Sequence, residues 1–231
     1  MLFGENEWIA ITLSLKVAAL AIAVSLPLGI AAAFLLARKQ FVGRSLFEAV
    51  ISLPLILPPV VTGYLLLMAF GRKGPLGMFF EQVFGLVFSF RWTGAALAAA
   101  VMGFPLLVQA IRISMEAIDT RLEDASSTLG ASPPWVFLTV TLPLSLPGII
   151  AGAILAFARS LGEFGATITF VSAIPGETQT LASAISAALQ DPAGEPEALR
   201  LTVFSIIISF AAIFLSGFVS RAVARKVGTP A

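Results

Sequence analysis

Charged residues fence off long apolar runs along this chain. Between Lys16 and Arg38 lie 21 uncharged residues, between Glu48 and Arg72 lie 23, between Arg91 and Arg112 lie 20, and between Arg200 and Arg221 lie 20. A helix needs about 20 apolar residues to cross about 30 Å of hydrocarbon, so each run is long enough to span. A fifth stretch, Leu144 to Pro175, is interrupted only by Arg159 and Glu163. These two are four residues apart, and a continuous helix would bring them onto one face, where they can pair. The pattern predicts an all-α integral membrane protein with five transmembrane helices, at about 8–37, 49–71, 92–115, 144–174 and 200–220 of a single 1–231 domain.

Charge sets the expected orientation. The short connection holding Arg38, Lys39 and Arg44 is purely basic, and so is the tail with Arg221, Arg225 and Lys226. Short basic segments stay in the cytoplasm. Five crossings place both there, with the N-terminus outside and the C-terminus inside. Cytoplasmic segments then hold eight Lys/Arg (38, 39, 44, 112, 121, 221, 225 and 226) against four outside, Arg72, Lys73, Arg91 and Arg200. Trp8, Trp92 and Trp135 fall at or near span ends, where an amphipathic indole prefers to sit. Glu5 and Glu7 replace the basic start of a signal peptide, so the first run is read as a retained span.

Composition narrows the chemistry. Hydrophobic residues make up 58% and charged residues 12%, against about a quarter charged in a soluble domain; the mean hydropathy is +0.98. A net charge of +1 argues against nucleic-acid binding. There is no cysteine and no histidine, which removes disulfides, thiolate or imidazole metal sites, Cys nucleophiles and imidazole acid–base catalysis. No cofactor and no catalytic residue is predicted.

Proline is frequent at membrane depth, at positions 27, 54, 58, 59, 105 and 147. Each removes a backbone donor, which bare lipid tolerates badly. Such breaks suit helices that line a cavity or move against one another, although any one can be a packed kink. The most interrupted stretch, Ser52 to Gly63, should carry an irregular turn. Residues 173–199 carry Glu177, Asp191, Glu195 and Glu197; Leu181, Ile185 and Leu189 give a short one-sided helix there, too brief to cross. This region reads as an outer lid or docking surface, or as a solvated connection.

The segment between the third and fourth spans is the most informative. Asp119 is a good N-cap, Glu123 and Asp124 sit near the positive end of the helix dipole, Gly130 can take a left-handed C-terminal position, and Pro133 and Pro134 block continuation. A cytoplasmic helix over about 119–131 follows. Leu122, Ala125 and Leu129 share one strip. A short helix with one apolar strip, held between two spans, needs a surface to bury it, such as a groove in a cytosolic partner.

Glu123-Asp-Ala, four residues, Gly130, nine residues, Val140-Thr-Leu142-Pro143 resembles the EAA signature of permeases in binding-protein-dependent ABC importers. Asp124 stands for the usual Ala and Val140 for Ile; Glu123, Ala125, Gly130, Leu142 and Pro143 match. From Trp8 to about Pro175 the chain is similar to the molybdate permeases of this family, most specifically in Phe157-Ala-Arg-Ser-Leu-Gly-Glu-Phe-Gly-Ala-Thr-Ile-Thr-Phe-Val-Ser172. Sulfate permeases share a looser form, so tungstate or sulfate stays open as the oxyanion. The resemblance implies an ATP-driven oxyanion importer in a bacterial inner membrane. It also implies a homodimer of this chain, two cytosolic ATP-binding subunits and a periplasmic oxyanion-binding protein. It assigns the ATPase-coupling role to the 119–131 helix, with Glu123, Asp124, Ala125, Leu129, Gly130, Leu142 and Pro143. The chain has no Gly-x4-Gly-Lys-Ser/Thr phosphate loop, so hydrolysis belongs to another polypeptide.

Candidates for the path are neutral donors that tolerate an anion: Thr62, Ser160, Thr167, Thr169 and Ser172. Arg159 could add attraction, with Glu163 cancelling it at rest; equally, the pair could only brace the fold. A channel or secondary transporter would explain the spans but not the spaced motif. A membrane enzyme lacks a readable nucleophile–base pair.

Overall fold

The computed structural model describes residues 4–227, and among them every regular element is helical. Of the tail cations, Arg225 and Lys226 lie outside the described side chains. In chain order the helices are α1 Glu5–Arg38, α2 Arg44–Ile56, α3 Pro59–Phe70, α4 Pro75–Phe84, α5 Trp92–Glu116, α6 Thr120–Thr128 and α7 Pro133–Val136. A π-helical segment Phe137–Thr141 leads directly into α8 Leu142–Leu161. The last are α9 Gly165–Val171, α10 Leu181–Ala188 and α11 Glu195–Val227.

Four described stretches are long and apolar enough to cross a membrane: Glu5–Arg38, Trp92–Glu116, Pro133–Leu161 and Glu195–Val219. A fifth candidate is the pair α2 and α3, bent by 115° at their junction. The irregular turn expected in Ser52–Gly63 is therefore a sharp break. Its cause is Pro58 followed by Pro59: a residue before proline is pushed out of the α region, and Leu57 (ψ 144°) and Pro58 (ψ 133°) are both extended.

The region expected as one span over 144–174 also differs. Its helix starts earlier and stops at Leu161, and Gly162 to Phe164 separate it from the short α9. The Glu163 side chain turns to the new helix start, where Oε1 accepts the Ala166 N–H at 2.9 Å. The carboxylate thereby satisfies a donor that the helix itself leaves open.

α5 is the central helix. Its small residues Ala95, Ala96, Ala98 and Ala99 are buried with Val17 and Ala21 of α1, Leu66 of α3 and Phe170 of α9. Further along, Leu107, Val108, Ile111 and Met115 pack with Ala33 and Leu36 of α1 and Ile149 and Ala156 of α8. A third cluster joins Ala10, Ile11, Leu181, Ala184 and Leu201 at the N-terminal end of α1. A short helix forms there as predicted, but it ends at Ala188: of the expected apolar strip Leu181 is buried, whereas Leu189 follows the helix and is exposed. The Ser14 hydroxyl accepts the Leu181 N–H at 2.6 Å. Buried Glu7 pairs with Arg200 at 2.8 Å across α1 and α11.

The two broken regions lie against each other. α3 crosses α9 so closely that a Cβ on Gly63 would sit 2.5 Å from the Ala166 carbonyl oxygen and 2.9 Å from Thr169 Cβ. Backbone cannot yield as a side-chain tip can. Gly63→Leu should therefore destabilise the folded chain by at least the ~1–3 kcal/mol typical of overpacking, read as a lower unfolding temperature in detergent. Gly162→Ala, whose nearest contact is Arg159 O at 4.0 Å, should leave that temperature unchanged.

Candidate functional site

α6 is built as its sequence suggests. Asp119 is the N-cap, and its Oδ1 accepts the Arg121 N–H at 2.9 Å. At the other end the chain turns through Gly130 at φ +92°. There the Ala131 N–H reaches Ser126 O at 3.2 Å and the Gly130 N–H reaches Ser127 O at 3.0 Å. This paired closure satisfies carbonyls that a fraying helix end would leave open, and its left-handed residue suits glycine.

The faces of α6 are sharply different. Leu122 is 50% exposed and Leu129 is 89% exposed, and Asp124 and Ala125 also face outward. The expected apolar strip therefore has no cover within this chain. Glu123 points the other way. Its Oε1 accepts Arg38 Nε at 3.1 Å and the buried Thr141 hydroxyl at 2.7 Å. Arg38 also donates to the Ile118 carbonyl at 3.2 Å, so one guanidinium grips both α6 and the linker entering it. The carboxylate is a tie to the rest of the chain, not a solvated charge.

Leu142 and Pro143 begin α8 immediately after the π-helical segment. Leu142 packs against the α1–α5–α8 cluster. Pro143 has no N–H and its ring would crowd the carbonyl four residues earlier in a regular helix. Widening the turn accommodates it, and the Leu142 N–H bonds to Phe137 O, five residues back. Phe137 packs edge to face on Phe34 of α1, with centroids 4.9 Å apart. Nearby, Arg112 bridges Glu48 of α2 at 2.6 Å and Glu116 at 2.7 Å.

The path candidates are divided by the fold. Thr62, Ser160 and Thr167 are buried inside the subunit. The Thr62 hydroxyl has no partner, whereas Ser160 donates to Ala99 O of α5 at 3.4 Å. Thr169 is half-buried, and its hydroxyl bonds its own helix at Gly165 O, 2.8 Å away. Ser172 is exposed at φ +64° beyond the end of α9, where Thr178 donates to its carbonyl at 3.2 Å. α3 and α9 bring Thr62, Thr167 and Thr169 into one region; Ser172 stands apart.

Arg159 Nη1 lies 2.7 Å from Glu163 Oε2, with the carboxylate side chain 2% exposed and the guanidinium side chain 29% exposed. The contact is an ion pair without hydrogen-bond alignment, so Oε2 has no aligned donor. The sequence did not point to Arg38, Thr141, Glu7 or Arg200 as partners. Glu7 and Arg200 are 193 positions apart and Arg38 and Glu123 are 85 apart, and no local spacing encodes such pairs. Lys16 of α1 rests 3.7 Å above the ring of Trp92, the first residue of α5, an arrangement that favours a cation.

Residues 25–229 match the family of binding-protein-dependent transport system inner membrane components. The chain belongs to this family: it is a multi-pass bacterial inner-membrane permease subunit of an ABC transporter, and not itself an enzyme. Its relatives include the Molybdenum transport system permease protein ModB of Escherichia coli (strain K12), 53% identical over 99% of this chain and 100% of that protein. ModB of Haemophilus influenzae is 57% identical over 95% of this chain and 96% of that protein. The Sulfate transport system permease protein CysW of Synechococcus elongatus is 40% identical over 74% of this chain and 60% of that protein. Among solved structures, a bacterial alginate ABC transporter in complex with an alginate pentasaccharide-bound periplasmic protein covers 99% of this chain and 82% of its own. Its TM-score is 0.74 at 16% identity, a likeness of fold.

Proposed function

We propose that this chain is the permease of an ATP-driven molybdate importer, with its N-terminus outside and its C-terminus and α6 in the cytoplasm. Two copies enclose the path, two cytosolic ATP-binding subunits dock on α6, and a periplasmic protein delivers the anion. Similarity to the ModB proteins over nearly the whole chain supports the choice of molybdate over the sulfate of the CysW relative. The excess of Lys and Arg on the α6 side supports the orientation.

One charge at the bilayer centre already costs several kcal/mol, and a dianion costs more, so transport needs a wet path that is never open at both ends. Closure of the ATP-binding subunits supplies the bias, and α6 passes it on as rigid-body motion. The observation that carries this reading is the uncovered Leu122–Leu129 strip on a helix fixed at both ends. A surface that is rigid, apolar and unpartnered transmits force once a partner covers it. Arg159 and Glu163 are the proposed gate, since α8 runs unbroken from Leu142 beside α6 to that pair.

Leu129→Asp puts a charge in the covered strip without touching this chain's own packing. Expected is at least a tenfold loss of co-purified ATP-binding subunit, with the permease's unfolding temperature unchanged. Undiminished attachment would count against docking on α6. Uptake of labelled molybdate, challenged with tungstate and sulfate, tests the substrate; stronger competition by sulfate than by tungstate would favour a sulfate permease.

A further inference from the structure

We infer that Arg38 and Thr141 are positioning residues of energy coupling, which hold the Glu123 carboxylate so that one displacement of α6 moves two spans together. The inference rests on the docking role given to α6 above and adds how its motion is divided.

Three elements meet on one carboxylate oxygen. Arg38 is the last residue of α1, Thr141 is the last residue of the π-helical segment, and Glu123 lies in the first turn of α6. The two side chains of the ion pair are 11% and 18% exposed. Hydrogen bonds to a charged group are worth roughly twice neutral ones, and reduced solvent access limits screening. Arg38 also binds Ile118 O at 3.2 Å, so α6 cannot rotate about its own entry point without breaking that grip.

The partition follows from geometry. A push on α6 pulls Arg38 and, through it, α1. The same push reaches Thr141 and, through it, α8. The two routes enter the spans at different points: Arg38 is the final residue of α1, whereas Thr141 directly precedes Leu142, the first residue of α8, at the end of a π-helical turn of the kind frequent at functional sites. Phe34 against Phe137 keeps α1 and the π-helical segment in register. A carboxylate that served only to contact a partner would need neither the buried hydroxyl nor the guanidinium.

The test uses the intact importer, affinity-purified through this chain and reconstituted with its ATP-binding and anion-delivery proteins. ATP hydrolysis and labelled molybdate uptake are measured on the same vesicles. For Arg38→Gln we expect the ATP-binding subunit to stay attached and hydrolysis to stay within about threefold, while molybdate imported per ATP falls at least tenfold. The swapped pair Arg38→Glu with Glu123→Arg re-forms the ion pair but not the bond to the Ile118 carbonyl, and should restore that ratio in part. Thr141→Val removes a single hydrogen bond and should lower the ratio two- to fivefold, which keeps the test decisive should Arg38→Gln fail to accumulate. An unchanged ratio in Arg38→Gln and Thr141→Val overturns the inference, as does proportional loss of hydrolysis and uptake that the swap does not repair. If the unaltered chain brings down no ATP-binding subunit, the docking role itself fails, and the inference with it.

Discussion

Gly130→Val should lower uptake at least tenfold while the chain still inserts and folds. Gly130 sits at φ +92°, and a Cβ there would meet nothing within 4 Å. The defect is therefore backbone strain and not a clash. Left-handed geometry costs an L-residue about 1–2 kcal/mol, and branching at Cβ adds to that. The closing bonds from Ala131 and Gly130 to Ser126 and Ser127 depend on this conformation, so the end of α6 and the Leu129 side chain would lose their fixed place. The buried clusters along α5 do not involve Gly130, which is why insertion should survive. Gly130→Asn is the control, because asparagine tolerates the left-handed region; it should retain most of the activity. Normal uptake by the valine variant would count against the coupling role of α6.

The largest stability loss is expected from Arg159→Ala. It strands the Glu163 carboxylate, whose side chain is 2% exposed, with only the Ala166 N–H for a partner. Breaking a buried pair from one side costs about 3–5 kcal/mol, and the 29% exposure of Arg159 places the loss toward the lower end of that range. Glu163→Gln should cost less than half as much. A glutamine oxygen still accepts the Ala166 N–H, and the guanidinium can reach water. Thermal unfolding in detergent should rank the chains as unaltered, then Glu163→Gln, then Arg159→Ala. The reverse order would mean that the arginine, not the carboxylate, is the buried charge that needs its partner.

Much of this was legible along the chain because it is encoded locally. Runs of uncharged residues mark the long helices, since lipid demands continuous apolar surface. Asp119 and Gly130 mark the ends of α6, since caps and left-handed turns depend on single residues. The double proline at 58 and 59 marks the break between α2 and α3, though not its angle of 115°. The stop of α8 at Leu161 was hidden, because Gly162 to Phe164 read equally well as helix within an apolar run. Only the side chain of Glu163, turning to cap α9, decides it.

The inward turn of Glu123 was hidden for another reason. In sequence it is one of two neighbouring carboxylates near a helix start, and only the fold sends Asp124 outward and Glu123 onto Arg38 and Thr141. The path candidates show the same limit. A hydroxyl within a span can face an aqueous route or its own backbone, and Thr169 and Ser160 bond carbonyls of this chain.

The absence of cysteine from the whole sequence makes one measurement unusually clean. A single cysteine at Leu129, introduced into the chain in intact cells, has no competing thiol on this polypeptide. A short thiol-directed crosslinker should join it to the ATP-binding subunit in high yield, while a membrane-impermeant thiol reagent added outside the cytoplasmic membrane leaves it unlabelled. Labelling from outside, or crosslinking to no ATP-binding subunit, would contradict the claim that α6 carries work from a cytosolic motor to the spans.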